Sequence, residues 1–78
     1  MSQAKRESAL AVIADVSGRD VAGLRPEQEL VADLDVDSPK GLQLLVQLEE
    51  ALGVEISDED AARMDTVGDV LAYVDRLP

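Results

Sequence analysis

The chain contains no cysteine, no histidine, no tryptophan and no phenylalanine, and Tyr73 is its one aromatic residue. Each absence removes a class of function. Without cysteine there is no disulfide, no thiolate zinc site and no cysteine nucleophile, and without histidine the side chain that most often moves protons near neutral pH is missing. What remains for catalysis is carboxylates, hydroxyls, two lysines and one tyrosine with no visible pairing, so the chain reads as a non-enzyme. Positive charge is scarce too: 7 Lys and Arg stand against 17 Asp and Glu, a formal net charge of −10. That balance repels nucleic-acid phosphates and anionic membranes and favours basic partners. No apolar run approaches the roughly 18 residues of a membrane span, and the start of the chain is too polar for a signal-peptide core. The expectation is a soluble, cytoplasmic monomer that binds neither nucleic acid nor membrane.

Aliphatic residues, by contrast, recur along the whole chain, which is 46% apolar, and this argues for folding rather than acidic disorder. A chain of 78 residues makes a single domain over 1–78. A domain of this size buries only roughly 60% of the surface its unfolded form exposes, so its stability rests on tight aliphatic packing.

Ala9, Leu10, Ile13 and Val16 fall at helical spacing behind a possible Ser2 N-cap, which predicts a first helix from about Gln3 to Val16, stopped by Ser17-Gly18. From Arg19 to Asp37 the spacing is irregular and breakers intervene, yet Val21, Leu24, Leu30, Val31 and Leu34 are present to pin a long loop to the core. Loops of such length in compact domains are usually functional. The strongest helical pattern follows, from Ser38 to Leu52 with Gly53 as C-cap. Its apolar residues cover an arc of about 200°, wider than one buried face requires. Leu45, Leu48 and Leu52 are expected to be core, with Leu44 and Val46 at the margins. Ser57-x-x-Asp60 has the form of a capping box opening a short helix to about Arg63. Thr66-x-x-Asp69 repeats the device before a last helix with Val67, Val70, Leu71 and Val74 inward, ending near Arg76. The fold class is therefore all-α, a small four-helix bundle with a long loop between helices one and two and a short third helix.

The segment Asp33-Leu34-Asp35-Val36-Asp37-Ser38-Pro39-Lys40-Gly41 joins the loop to the long helix and admits three readings. In the first, Ser38 is an N-cap, Pro39 takes the first helical position, and the aspartates complement the helix dipole. In the second, Asp33, Asp35 and Asp37 begin a calcium loop, but the required glycine is replaced by Ser38 and the bidentate glutamate by Leu44, which leaves no metal site of EF-hand type. In the third, Ser38 is a modification site, its hydroxyl displayed at a helix N-terminus that favours an anionic phosphodiester.

Asp33-Leu34-x-x-Asp37-Ser38, then Leu48-Glu49-Glu50-x-Leu52-Gly53-Val54-Glu55-Ile56-Ser57-Asp58-Glu59, then Asp65-Thr66-Val67-Gly68-Asp69-Val70, resembles an acyl carrier protein over nearly the whole chain. The resemblance implies that a separate phosphopantetheinyl transferase, with magnesium, attaches 4'-phosphopantetheine from coenzyme A to Ser38, with Asp37 beside it in the recognition site. It implies partner enzymes with basic docking surfaces, such as a ketosynthase, an acyltransferase or an acyl-activating ligase. By position it places Pro39, Lys40, Gln43, Val46, Glu49, Glu50, Ile56 and Asp58 on the surface those partners read. It further suggests that the aliphatic interior parts to admit an acyl chain. Departures from the family pattern are Asp35 where glycine is usual, Pro39 where a flexible apolar residue follows the serine, and Lys40 and Gln43 at usually acidic positions. Asp35 is nonetheless suited to a left-handed turn. These departures point to a carrier for polyketide or other specialised metabolite synthesis, with fatty-acid synthesis and aminoacyl carriage as alternatives, and an unmodified acidic adaptor as the alternative of another class.

Overall fold

A computed structural model describes residues 3–78, so the Ser2 cap lies outside the described residues. Its elements are α1 (Gln3–Ser17), a single 3₁₀ turn (Val21–Gly23), α2 (Ser38–Leu52), α3 (Asp58–Ala62) and α4 (Val67–Asp75). The helix boundaries follow from local chemistry. Gly18 stops α1 by adopting φ 70°, and Arg19 N–H then reaches back to the Ala14 carbonyl at 3.0 Å. Gly53 ends α2 in the same left-handed conformation, with its N–H on Glu49 O. Ser57 accepts from Asp60 N–H at the start of α3, and Thr66 and Asp69 form a reciprocal capping box on α4.

The core joins Ala9, Ile13 and Val16 of α1, Leu44, Leu48 and Leu52 of α2, and Val67, Val70, Leu71, Tyr73 and Val74 of α4. The long loop adds Leu30, Leu34 and Val36. Ile13, Leu34, Leu48, Val67 and Val70 lose virtually all exposure, and burying a side chain of this kind contributes about 1.5–3 kcal/mol. Tyr73 is buried as well, which pushes its phenol above the usual value of 10.0, first by desolvation and then by the negative field of Asp60.

Two packing expectations are corrected. The inward row of α2 is Leu44, Leu48 and Leu52, four residues apart, whereas Leu45 is only half-buried. An apolar arc wider than one face has its centre displaced from the packed row, because part of it faces elsewhere. In the loop, Leu30, Leu34 and Val36 pin the chain, but Val31 is 71% exposed and Val21 is exposed as well.

Backbone hydrogen bonds stitch the loop to the junction between α3 and α4. Leu30 N–H donates to Asp65 O at 2.9 Å, Val67 N–H to Gln28 O at 3.0 Å, and Gly68 N–H to Pro26 O at 2.8 Å, around the isolated antiparallel bridge Glu29–Thr66. This seam gives an irregular segment enough backbone pairing to hold one shape.

Candidate functional site

The loop arrives at α2 through a left-handed residue. Asp35 has φ 57°, which lets Leu34 and Val36, its two neighbours, both enter the core. Aspartate tolerates this conformation better than most side chains, so the expected turn is kept without glycine. Two residues further on, Asp37 is the N-cap: its Oδ1 accepts from Lys40 N–H at 3.1 Å. This corrects the expectation that Ser38 caps the helix with Pro39 in its first position. Ser38 is itself the first helical residue and Pro39 the second. The reason is chemical equivalence, since Asp and Ser cap equally well and the chain offers them side by side. The consequence is that capping falls to Asp37, and Ser38 stands exposed at the helix start.

The other two aspartates of the segment are engaged elsewhere. Asp33 Oδ2 accepts from Glu29 N–H at 2.7 Å, and Asp35 Oδ2 lies 3.3 Å from Arg19 Nη2. The three carboxylates thus serve three different partners rather than one shared centre.

Beside Ser38 is an apolar cavity of about 250 Å³. Leu30, Val31 and Val36 of the loop form one wall, Leu44, Leu45 and Gly41 of α2 another, and Ala61 and Met64 the third. Asp37 and Ser38 stand on its edge. Leu45 and Val31, which lie outside the core cluster, line this space together with the core residues Leu30, Val36 and Leu44. Sequence reasoning missed the contribution of Met64, which sits after the short third helix with no periodic pattern to mark it.

The remaining positions expected on a partner surface spread along α2 and beyond it. Pro39, Gln43, Val46 and Glu50 are exposed on the outer side of α2, and Asp58 is exposed in the first turn of α3. Lys40 and Ile56 are half-buried. Glu49 holds the backbone together at this end, because its Oε2 accepts from Ile56 N–H at 2.8 Å and so fastens the link between α2 and α3. Leu42, absent from the expected set, is 66% exposed in the same outer stripe as Val46. The i, i+4 spacing of the two residues was the available signal. The first turn of α2 carries no acidic residue, and Lys40 is the helix's one cation.

An exposed serine thus stands at the start of α2, at the edge of an apolar cavity. The family model for the phosphopantetheine attachment site matches residues 7–74. The chain belongs to this family, the acyl carrier proteins, and its prosthetic group is 4'-phosphopantetheine. It is 44% identical to the meromycolate extension acyl carrier protein of Mycobacterium tuberculosis over 66 residues, 85% of this chain and 57% of that protein. The chain thus spans little more than half the length of that relative. The protein of the same name in Mycolicibacterium smegmatis is also 44% identical over 66 residues, covering 67% of its length. A solved structure of a provisionally assigned acyl carrier protein from Mycobacterium tuberculosis superposes with a TM-score of 0.82 at 39% identity, over 92% of this chain and 96% of that one. Among the described residues, no helix is long and apolar enough to cross a membrane.

Proposed function

We propose that Ser38 is the attachment point of the phosphopantetheine arm, and that the chain carries acyl intermediates for a specialised pathway of acyl-chain assembly. The observation that supports this most directly is the exposed Ser38 at the first position of α2, bordering the apolar cavity. The residues fit the group. Helix N–H groups at this end suit the phosphodiester charge, and the cavity walls suit an aliphatic chain. In the modification, Ser38 Oγ forms a P–O bond to the pantetheine phosphate of coenzyme A, the pyrophosphate bond breaks, adenosine 3',5'-bisphosphate leaves with the electron pair, and the hydroxyl proton passes to the transferase. The arm, once attached, supplies the thiol that the chain lacks and on which acyl groups ride as thioesters.

Asp37 holds the helix start at which the transferase must find Ser38. Partner enzymes then read the outer side of α2. Near the arm they meet Pro39, Gln43 and the apolar pair Leu42 and Val46, with Lys40 at the margin; farther along they meet Glu50 and Asp58. Basic partner groups therefore belong opposite Glu50 and Asp58, with Glu49 and Ile56 shaping that end from below. The apolar cavity favours acyl over aminoacyl cargo, and the relatives' name, meromycolate extension, favours extension of a fatty-acyl-type chain over polyketide synthesis.

Incubation with coenzyme A, magnesium and a broad-specificity phosphopantetheinyl transferase, followed by intact mass, tests the assignment. We expect one added phosphopantetheine, abolished by Ser38→Ala. An unmodified wild-type chain would favour the acidic adaptor instead, and modification persisting in the variant would move the site.

A further inference from the structure

We infer that Arg19 is a positioning residue for the modification of Ser38, acting as a strut from the end of α1 to the loop that presents the serine. The inference rests on the carrier reading above. Arg19 is placed firmly at its own end: it follows the left-handed Gly18, and its N–H is bonded to the Ala14 carbonyl at 3.0 Å. From there its guanidinium reaches across the sequence to the loop. Nη2 donates to the Asp33 carbonyl at 3.1 Å and lies 3.3 Å from Asp35 Oδ2.

The two contacts fall on the residue that most needs support and on the carbonyl two residues before it. Asp35 is the one non-glycine residue with positive φ among those described. In that conformation an L side chain is strained, and a glycine would not be. The turn also decides where Ser38 stands, because Val36 is buried immediately after it and Asp37 must reach the helix end to cap it. Arg19 and Asp35 are both exposed, so the ion pair by itself is weak. The donation to the Asp33 carbonyl adds a charge-assisted bond to the backbone leading into the turn. Arg19 and Asp35 thus form a coupled device in which the arginine offsets the cost of having aspartate where a turn prefers glycine.

Such a strut raises the fraction of molecules whose serine loop is ready for the transferase. A fall in that fraction weakens apparent affinity and leaves the bound chemistry unaltered. For Arg19→Ala we expect the KM of the chain in the transferase reaction to rise about twofold to fivefold with kcat unchanged. Arg19→Lys, which keeps the charge and a donor, should recover part of the loss. In an Asp35→Gly background, where the turn needs no support, Arg19→Ala should leave KM unaltered. An unchanged KM in Arg19→Ala, or effects of Arg19→Ala and Asp35→Gly that simply add, would overturn the proposal. Amide exchange at Val36, whose N–H is bonded to Leu30 O at 2.9 Å, is a readout that needs no transferase. It should speed up in Arg19→Ala and return to the wild-type rate with Asp35→Gly added, and equal rates in all forms would refute the strut. Wild-type chain that takes up no phosphopantetheine would bring down the carrier reading alone, with Val36 exchange still deciding whether Arg19 holds the loop.

Discussion

Replacing Leu44 and Leu45 separately by alanine tests how α2 is seated, that is, which of its apolar rows packs into the core. Leu44 is 4% exposed and belongs to the core cluster with α1 and α4 residues, while Leu45 is half-buried against open space. Removing a fully packed leucine side chain costs its transfer free energy plus the energy of the hole left behind, about 3 kcal/mol at a site that collapses partly. Both leucines border the cavity, but Leu45 lies outside the core cluster and is only half-buried, so its removal forfeits only part of the transfer energy, about 1 kcal/mol. A domain of this size has a total stability on the order of 4–12 kcal/mol, so the first change is a large fraction of it and the second is tolerable. Urea unfolding followed by far-ultraviolet circular dichroism reads both. With a slope of about 1 kcal/mol per molar urea, the midpoint should fall by roughly 3 M for Leu44→Ala and roughly 1 M for Leu45→Ala. If the first variant is too unstable to show a folded baseline, titrating it in a stabilising osmolyte recovers the difference. Equal losses, or a greater loss at Leu45, would refute this seating of α2.

Two further perturbations separate local effects. A Cβ on Gly68 would stand 3.0 Å from the Pro26 carbonyl oxygen, whereas one on Gly41 would meet nothing within 4 Å. Gly41→Ala should therefore stabilise by about 0.5–1 kcal/mol through helix propensity, and Gly68→Ala should destabilise despite the same propensity gain; thermal melts, at about 4–8 °C per kcal/mol, would show opposite signs. The raised phenol pKa of Tyr73 gives a pH dependence: the unfolded chain begins to lose the phenolic proton near 10 while the folded chain keeps it, so stability is full below that value and falls as pH climbs through the folded pKa. Tyr73→Phe should flatten this alkaline decline, and a decline of the same steepness in the variant would assign it to other groups.

Helices and their ends were legible because their signals are local. Gly18, Gly53, Ser57 and the Thr66–Asp69 pair act within one turn of chain, and the boundaries they set agree with the structure to within a residue or two. The candidate serine was legible through Asp37-Ser38 and the pattern around it, although which of the two residues caps the helix was not. That choice turns on the backbone conformation of Asp37, which is extended, and adjacent residues of equal capping ability leave no trace of it in sequence. The roles of Leu44 and Leu45 were exchanged because periodicity reports an apolar arc, not which part of the arc meets another helix. The contacts that Arg19 and Glu49 make within the fold were beyond reach for a different reason: their partners lie 14, 16 and 7 residues away across loops, where no repeat constrains the pairing.

The seam between the long loop and the α3–α4 junction has a consequence for a chain without cysteine. Residues Glu29 and Thr66 are brought together as a covalent staple would bring them, enclosing all of α2 and α3 in a ring. Closing a flexible ring of roughly 37 residues costs about 3 kcal/mol of chain entropy. A disulfide would restrict the unfolded chain in advance; hydrogen bonds leave that chain free, and the whole penalty falls on the folding step. The ring is consequently as reversible as the packing around it.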